Sequence, residues 1–255
     1  MSDFTADYKG ATVVPSPNHG ERIDVSAPDI IILHYTGMGT ADSALSWLCN
    51  PESQVSSHYF VFEDGRVMQL VPETRRAWHA GKSVWDGAND INSRSIGIEI
   101  ANAGHPAGLP DFPEAQIRAV IELCRDCGER WSIAPERVLG HSDIAPVRKI
   151  DPGEKFPWDV LSQNGVGHWV LPATIGGGRF FQRGDSGQPV EALQSMLSLY
   201  GYGVEITGHY CEKTEGAVAA FQRHFRPALV DGIADFSTID TLHRLISELP
   251  KFRAV

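Results

Sequence analysis

The stretch Asp29-Ile30-Ile31-Ile32-Leu33-His34 decides the fold class. Four consecutive apolar residues, three of them β-branched, lack the alternation of a half-exposed strand, so they read as a strand buried on both faces. Such a strand needs cover above and below, which puts helices against a sheet. Its last residue, His34, is then carried to the strand end, where a side chain can emerge into a cleft. Downstream, Ser95-Ile96-Gly97-Ile98-Glu99-Ile100 is a second strand. Alternation sends Ile96, Ile98 and Ile100 to one face and Gly97 and Glu99 to the other. An acid there either meets solvent or lines a pocket, and periodicity alone favours the solvated face.

Residues 40–50 suggest a short helix carrying Leu45, Trp47 and Leu48. His58-Tyr59-Phe60-Val61-Phe62 and Val67-Met68-Gln69-Leu70, joined through Asp64-Gly65, read as a β-hairpin. Ile117, Val120, Ile121, Cys124 and Trp131 recur at helical spacing between Pro113 and Ser132, with Pro113 suited to the first turn. Cys124 and Cys127 form a C-x-x-C, open to redox or metal use, but the same spacing makes Cys124 a core residue of an amphipathic helix. Residues 1–28, rich in proline, read as irregular. The expected class is α/β (α+β): a central mixed β-sheet flanked by helices.

Near residue 162 the texture changes. Gly165, Gly167, Pro172 and Gly176-Gly177-Gly178 mark a linker with apolar anchors Trp169, Val170 and Leu171. Three short helical patterns follow. The first carries Val190, Leu193, Leu197 and Tyr200 and stops at Gly201; the second opens at Thr214 as N-cap; the third follows Ser237-Thr238. The expected division is therefore a first domain over 1–161, a linker over 162–178, and a small all-α three-helix domain over 179–255.

The net charge is −10, of which −9 belongs to residues 1–178 (14 Lys/Arg against 23 Asp/Glu) and −1 to residues 179–255 (8 against 9). Neither part has the basic stripe that phosphate neutralisation requires, which argues against nucleic acid as a partner. No apolar run approaches a membrane span, so no transmembrane segment is expected. No signal-peptide pattern is visible at the start, which points to the cytoplasm, with the periplasm or cell envelope as the alternative.

His141 and Asp151 lie ten positions apart in a segment whose prolines and glycines read as a loop, able to aim both ends at one point. With His34 they make two imidazoles and one carboxylate, the ligand set of a catalytic zinc that keeps a fourth position for water. On spacing alone the set competes with chance combinations among ten histidines.

Five segments, in order, resemble the zinc-dependent N-acetylmuramoyl-L-alanine amidases of the peptidoglycan-recognition-protein superfamily. They are Ile31-Ile32-Leu33-His34-Tyr35-Thr36, Val55-Ser56-Ser57-His58-Tyr59, Ala77-Trp78-His79-Ala80-Gly81, Ser95–Ile100, and Gly140-His141-Ser142-Asp143-Ile144-Ala145-Pro146 with Lys149 and Asp151. The resemblance implies one zinc ion on His34, His141 and Asp151, Glu99 as catalytic acid/base, and Lys149 as oxyanion stabiliser. It implies a peptidoglycan or muropeptide substrate, cut between N-acetylmuramic acid (or its anhydro form) and L-alanine. His79, His58, Tyr59 and Asn102 are candidate substrate contacts, each also readable as a packed, hydrogen-bonded residue. Many relatives carry a catalytic Tyr where this chain has Ser57, which throws weight onto Glu99. His105, His168, His209, His224 and His243 read as ordinary surface or core residues.

The C-terminal segments Gly184-Asp185-Ser186-Gly187, Val190–Gln194, Leu199-Tyr200-Gly201-Tyr202, Thr214–Val218, Phe221-Gln222 and Asp231-Gly232-Ile233 resemble three-helix peptidoglycan-binding modules. A unit that only shapes the amidase cleft is the competing reading. A binding-only member of the superfamily is a further alternative; loss of a zinc ligand marks that class, and all three ligand positions are filled here. The sequence leaves the oligomeric state open.

Overall fold

The computed structural model describes residues 4–252. In chain order it runs β1 (Ala11–Val13), β2 (His19–Gly20), β3 (Ile30–Tyr35), α1 (Ala41–Leu48), β4 (Tyr59–Val61), β5 (Val67–Gln69), β6 (Arg76–Ala77), α2 (Ile91–Arg94), β7 (Ser95–Ile100), α3 (Glu114–Trp131), β8 (Val138–Gly140), α4 (His141–Ile144), α5 (Trp158–Gln163), α6 (Gln188–Tyr200), α7 (Glu212–Phe225) and α8 (Phe236–Glu248). Six strands form a mixed sheet in the order β1-β5-β4-β7-β3-β8, and β2 pairs with β6. Neighbours in the large sheet are parallel except β4 and β5, the arms of the expected hairpin. Gly65 supplies the left-handed φ of +88° that its turn requires.

Strand β3 is buried on both faces. Ile31 and Leu33 pack with Ile96, Ile98 and the α3 residues Val120 and Cys124. Ile30 and Ile32 face the other way, into a cluster that continues through Leu139 and Ile144 to Leu193, Phe221 and Leu242 of the C-terminal helices. Each fully buried aliphatic side chain contributes about 1.5–3 kcal/mol. In α3, Cys124 and Cys127 are free thiols within the core. Register sets His34 opposite Glu99, so both emerge at the ends of neighbouring parallel strands.

Several expectations need correction. The amino-terminal region contains β1 and β2, which are too short to show a period. His141–Ile144 is a one-turn helix, not loop. The boundary expected at 161/162 falls inside α5. The linker is strapped down: Ser237 Oγ donates to the Ala173 carbonyl at 2.6 Å, and Ala173 N–H donates to Thr241 Oγ1 at 3.0 Å. Helix α7 starts at Glu212 after Cys211, and Thr214 is buried in its first turn, accepting from Gln194 Nε2 at 3.0 Å rather than capping. Helix α8 starts at Phe236, its N-cap Asp235 accepting from Thr238 N–H at 2.8 Å. Among the described residues, no helix is long and apolar enough to cross a membrane.

Candidate active site

His34 leaves the end of β3, and His141 opens α4 directly after β8. The chain then turns back, and Ser142 N–H donates to the Asp151 carbonyl at 2.9 Å, bringing the two ends of the segment together. Gly140 permits this approach: a Cβ there would lie 2.8 Å from Pro152. All three side chains are buried. His34 Nδ1 lies 2.9 Å from His141 Nδ1 and 3.2 Å from Asp151 Oδ2, and His141 Nδ1 lies 3.0 Å from the same oxygen. A tetrahedral zinc with ligands at about 2.0–2.1 Å needs donor atoms about 3.3 Å apart, so this triangle fits one face of such a site.

The surrounding hydrogen bonds decide which ring nitrogens carry protons. Ser95 Oγ donates to the Ile91 carbonyl at 2.6 Å and therefore accepts from His79 Nε2–H at 3.1 Å. Burial first, then the neighbouring imidazoles, push His79 well below its ordinary value, so the ring is neutral and its Nδ1 is an acceptor. That nitrogen receives His34 Nε2–H at 3.0 Å. Burial and His141 lower His34 to about 4; with its proton on Nε2, Nδ1 is a bare lone pair. His141 Nε2–H donates to the Ala80 carbonyl at 3.1 Å, leaving its Nδ1 bare as well. Two imidazole lone pairs and a carboxylate oxygen thus converge. They repel one another unless a cation stands among them, so the donor set suits a dication chemically as well as geometrically.

The three ligand candidates form part of the wall of a cleft of about 490 Å3, together with Glu99 and Lys149. Glu99 is partly open to this cleft, not on a solvated sheet face, and its Oε2 is buried without a hydrogen-bond partner. Burial, reinforced by Asp151 and opposed by Lys149, pushes its carboxyl up to about 8. A dication on the three donors would pull that value down. Trp47 also lines the cleft; helical spacing reads it with Leu45 and Leu48, but it is 47% exposed. Arg148 pins the wall by donating to the Ala80 and Lys82 carbonyls at 2.6 and 3.0 Å. Tyr35, which lines the cleft, donates its O–H to His105 Nδ1 at 2.9 Å, and His105 Nε2–H donates to Glu154 at 3.0 Å, so His105 braces a cleft residue. No sequence periodicity could reveal these lateral contacts.

Other candidate contacts lie elsewhere. His58 is fully buried: its Nδ1 accepts from Gly97 N–H at 3.0 Å and its Nε2 meets the Arg75 carbonyl at 3.0 Å. Tyr59 is equally buried and donates to Glu73 Oε1 at 2.6 Å. Asn102 is occupied by Pro110 and Gly104, bonding at 2.8 Å to each. None of the three lines the cleft; a partner strand or loop has used each side chain. Ser57 Oγ is likewise committed, donating to the Tyr59 carbonyl at 2.8 Å. His79 does reach the cleft, but both its nitrogens are taken. The space beside Gly97 serves that ring, since a Cβ there would lie 2.5 Å from it.

Residues 24–154 match the N-acetylmuramoyl-L-alanine amidase family, and residues 186–242 match a peptidoglycan binding domain. N-acetylmuramoyl-L-alanine amidase AmiD of Escherichia coli is 42% identical over 224 residues, covering 82% of this chain and 79% of that protein. Its structure in complex with anhydro-N-acetylmuramic acid-L-Ala-D-gamma-Glu-L-Lys superposes with a TM-score of 0.75 at 37% identity, covering 90% of this chain and 93% of the other. AmpDh3 of Pseudomonas aeruginosa gives a TM-score of 0.73 at 29% identity, over 97% of this chain and all of that one. The 1,6-anhydro-N-acetylmuramyl-L-alanine amidase AmpD of Escherichia coli is 32% identical over 58% of this chain and 88% of its own length. The chain belongs to the N-acetylmuramoyl-L-alanine amidase family and is an enzyme of that class.

Proposed function

We propose that His34 Nδ1, His141 Nδ1 and Asp151 Oδ2 hold one zinc ion, and that the bond cut beside them joins N-acetylmuramic acid, ordinary or anhydro, to the L-alanine of a stem peptide. The observation that carries this reading is the convergence of two imidazole nitrogens and a carboxylate oxygen about 3 Å apart, with the far nitrogen of His34 on His79 Nδ1 and that of His141 on the Ala80 carbonyl. When bound, zinc supplies Lewis acidity toward the amide carbonyl and acidifies water to a pKa of about 7.

The chain's own groups do the rest. Glu99, at the cleft wall with an oxygen that no protein group occupies, takes the proton of the attacking water. The water oxygen bonds to the lactyl carbonyl carbon, the C–N bond breaks, and Glu99 returns the proton to the departing L-alanine nitrogen. Lys149 brings positive charge to the same wall, where the carbonyl oxygen becomes anionic. The products are a lactyl carboxylate on the sugar and a peptide with a free amino end. Likeness to AmiD, whose structure holds an anhydromuropeptide, supports a soluble fragment of that kind as substrate. The match of residues 186–242 supports contact with larger wall material.

The test uses insoluble sacculi and, separately, a soluble anhydromuropeptide, each with zinc or with a chelator, with products identified by mass. Free stem peptide should appear from at least one substrate and vanish with chelator. Its absence from both zinc-loaded reactions removes the proposal, and its persistence with chelator removes zinc. The ratio between the two substrates separates recycling of soluble fragments from turnover of intact wall.

A further inference from the structure

Asp143 stands two residues after His141, inside the single turn of α4, and is fully buried. Its carboxylate accepts three hydrogen bonds. Gly140 N–H donates at 2.7 Å from the start of the same turn. The other two donors belong to the C-terminal helical unit: Tyr202 O–H reaches Oδ1 at 2.7 Å, and His224 Nδ1–H reaches Oδ2 at 2.7 Å. Both donors are themselves immobilised. The Tyr202 ring packs edge-on against Trp85 at 5.0 Å, and the His224 ring stacks on Trp158 of α5 at 3.7 Å. The same contact surface continues where Asp86 N–H donates to the Gly201 carbonyl at 2.8 Å.

A helix of one turn has no stability of its own, because the cost of nucleation is never recovered by propagation. What holds α4 must therefore come from tertiary contacts, and the Asp143 carboxylate takes two of them, from Tyr202 and His224. A buried carboxylate stripped of donors turns toward water and drags its backbone with it. His141 begins this turn, and its Nδ1 must stay within about 3 Å of both other donors to share a metal with them.

We propose that Tyr202 and His224 are positioning residues for the amidase reaction: by holding Asp143 they fix the turn that aims His141 at the metal. The C-terminal unit is then part of the support of the active site, in addition to any hold on the wall. This rests on the reading of His34, His141 and Asp151 as the zinc ligands.

The test compares full-length Tyr202→Phe with full-length Tyr210→Phe. Tyr210 donates to the Gly232 carbonyl at 2.7 Å in the same unit, away from Asp143. Each substitution removes one buried hydroxyl and keeps the ring, so a merely structural role predicts equal effects. The readouts are the zinc Kd, by competition with a chromogenic chelator, and the kcat and KM of the zinc-loaded enzyme. Tyr202→Phe should weaken zinc binding about tenfold and lower kcat more than it changes KM, while Tyr210→Phe leaves both as in the parent. His224→Ala should act like Tyr202→Phe, with partial recovery in His224→Gln, whose amide restores a donor. Parent-like zinc affinity in both Tyr202→Phe and His224→Ala overturns the proposal. A parent chain that binds no stoichiometric zinc overturns the ligand reading first, and this one with it.

Discussion

Two buried aspartates, eight residues apart, each lie against imidazole nitrogen, yet they are built for opposite ends. Asp143 receives N–H and O–H donors from three sides, which satisfies its charge and leaves nothing to do. Asp151 shares Oδ2 with two imidazole nitrogens whose protons have been drawn to the far side of each ring by His79 and Ala80. The residue types are the same; the direction of the second set of hydrogen bonds differs. A closed carboxylate holds backbone in place, and an open one is available to a cation or a proton. Glu99 belongs to the open kind, with one oxygen unpartnered. Glu73 belongs to the closed kind, buried and bonded to Tyr59, Arg130 and Trp131.

The division can be broken from either side. The largest effect is expected at Glu99. Glu99→Gln should keep zinc, measured by metal analysis after dialysis, and lower kcat by about 10²–10⁴, the range of a positioned general acid/base. Near-parent turnover would take Glu99 out of the chemistry and leave the cleft without a proton carrier. An intermediate effect is expected at His79, which joins an open site to its support. His79→Ala frees His34 to change tautomer, and the zinc Kd should rise about 10–100-fold. An unchanged Kd would mean that the relay through Ser95 does not govern the ligand.

The smallest catalytic effect belongs to the closed Glu73. Glu73→Gln should leave zinc affinity and kcat at parent values while lowering stability by about 2–3 kcal/mol, toward the low end for a broken buried pair because Arg130 meets solvent. Burial alone would raise the Glu73 carboxyl, but its bonds to Arg130, Tyr59 and Trp131 outweigh burial and hold it below the usual 4.5. A folded-state value below the unfolded one gives stability that is present above about pH 4.5 and lost as pH falls through the depressed value. Melting temperature followed from pH 6 to pH 3 should therefore drop less steeply in Glu73→Gln than in the parent. Parallel profiles would show that Glu73 is not the acid-labile element.

Legibility followed the range of the interaction. The run Ile30–Leu33 announces a doubly covered strand because apolar residues on both faces have no other home. The hairpin at Asp64-Gly65 and the face of α3 are legible for similar local reasons, in turn chemistry and in a period of 3.6. Elements of two to four residues, such as β2, β6, α2 and α4, carry no period and exist only because neighbours hold them. Site residues divide in the same way. His34 and Glu99 are marked by their places on strands, one at the end and one as an acid among isoleucines. His58, Tyr59 and Asn102 sit in equally suggestive positions, but adjoining strands and loops consume their polar atoms.

By itself, the sequence determined the covered sheet, the C-terminal helices and a family likeness strong enough to nominate two imidazoles and a carboxylate. Only the tertiary structure decided which nitrogen of each ring is bare, and which of two aspartates in one short segment faces the cleft. It also decided that His224, with nothing local to distinguish it, grips that segment from another part of the chain. A proton's place on a ring and a carboxylate's bonds are settled by groups that approach across space, and spacing along the chain carries no record of them.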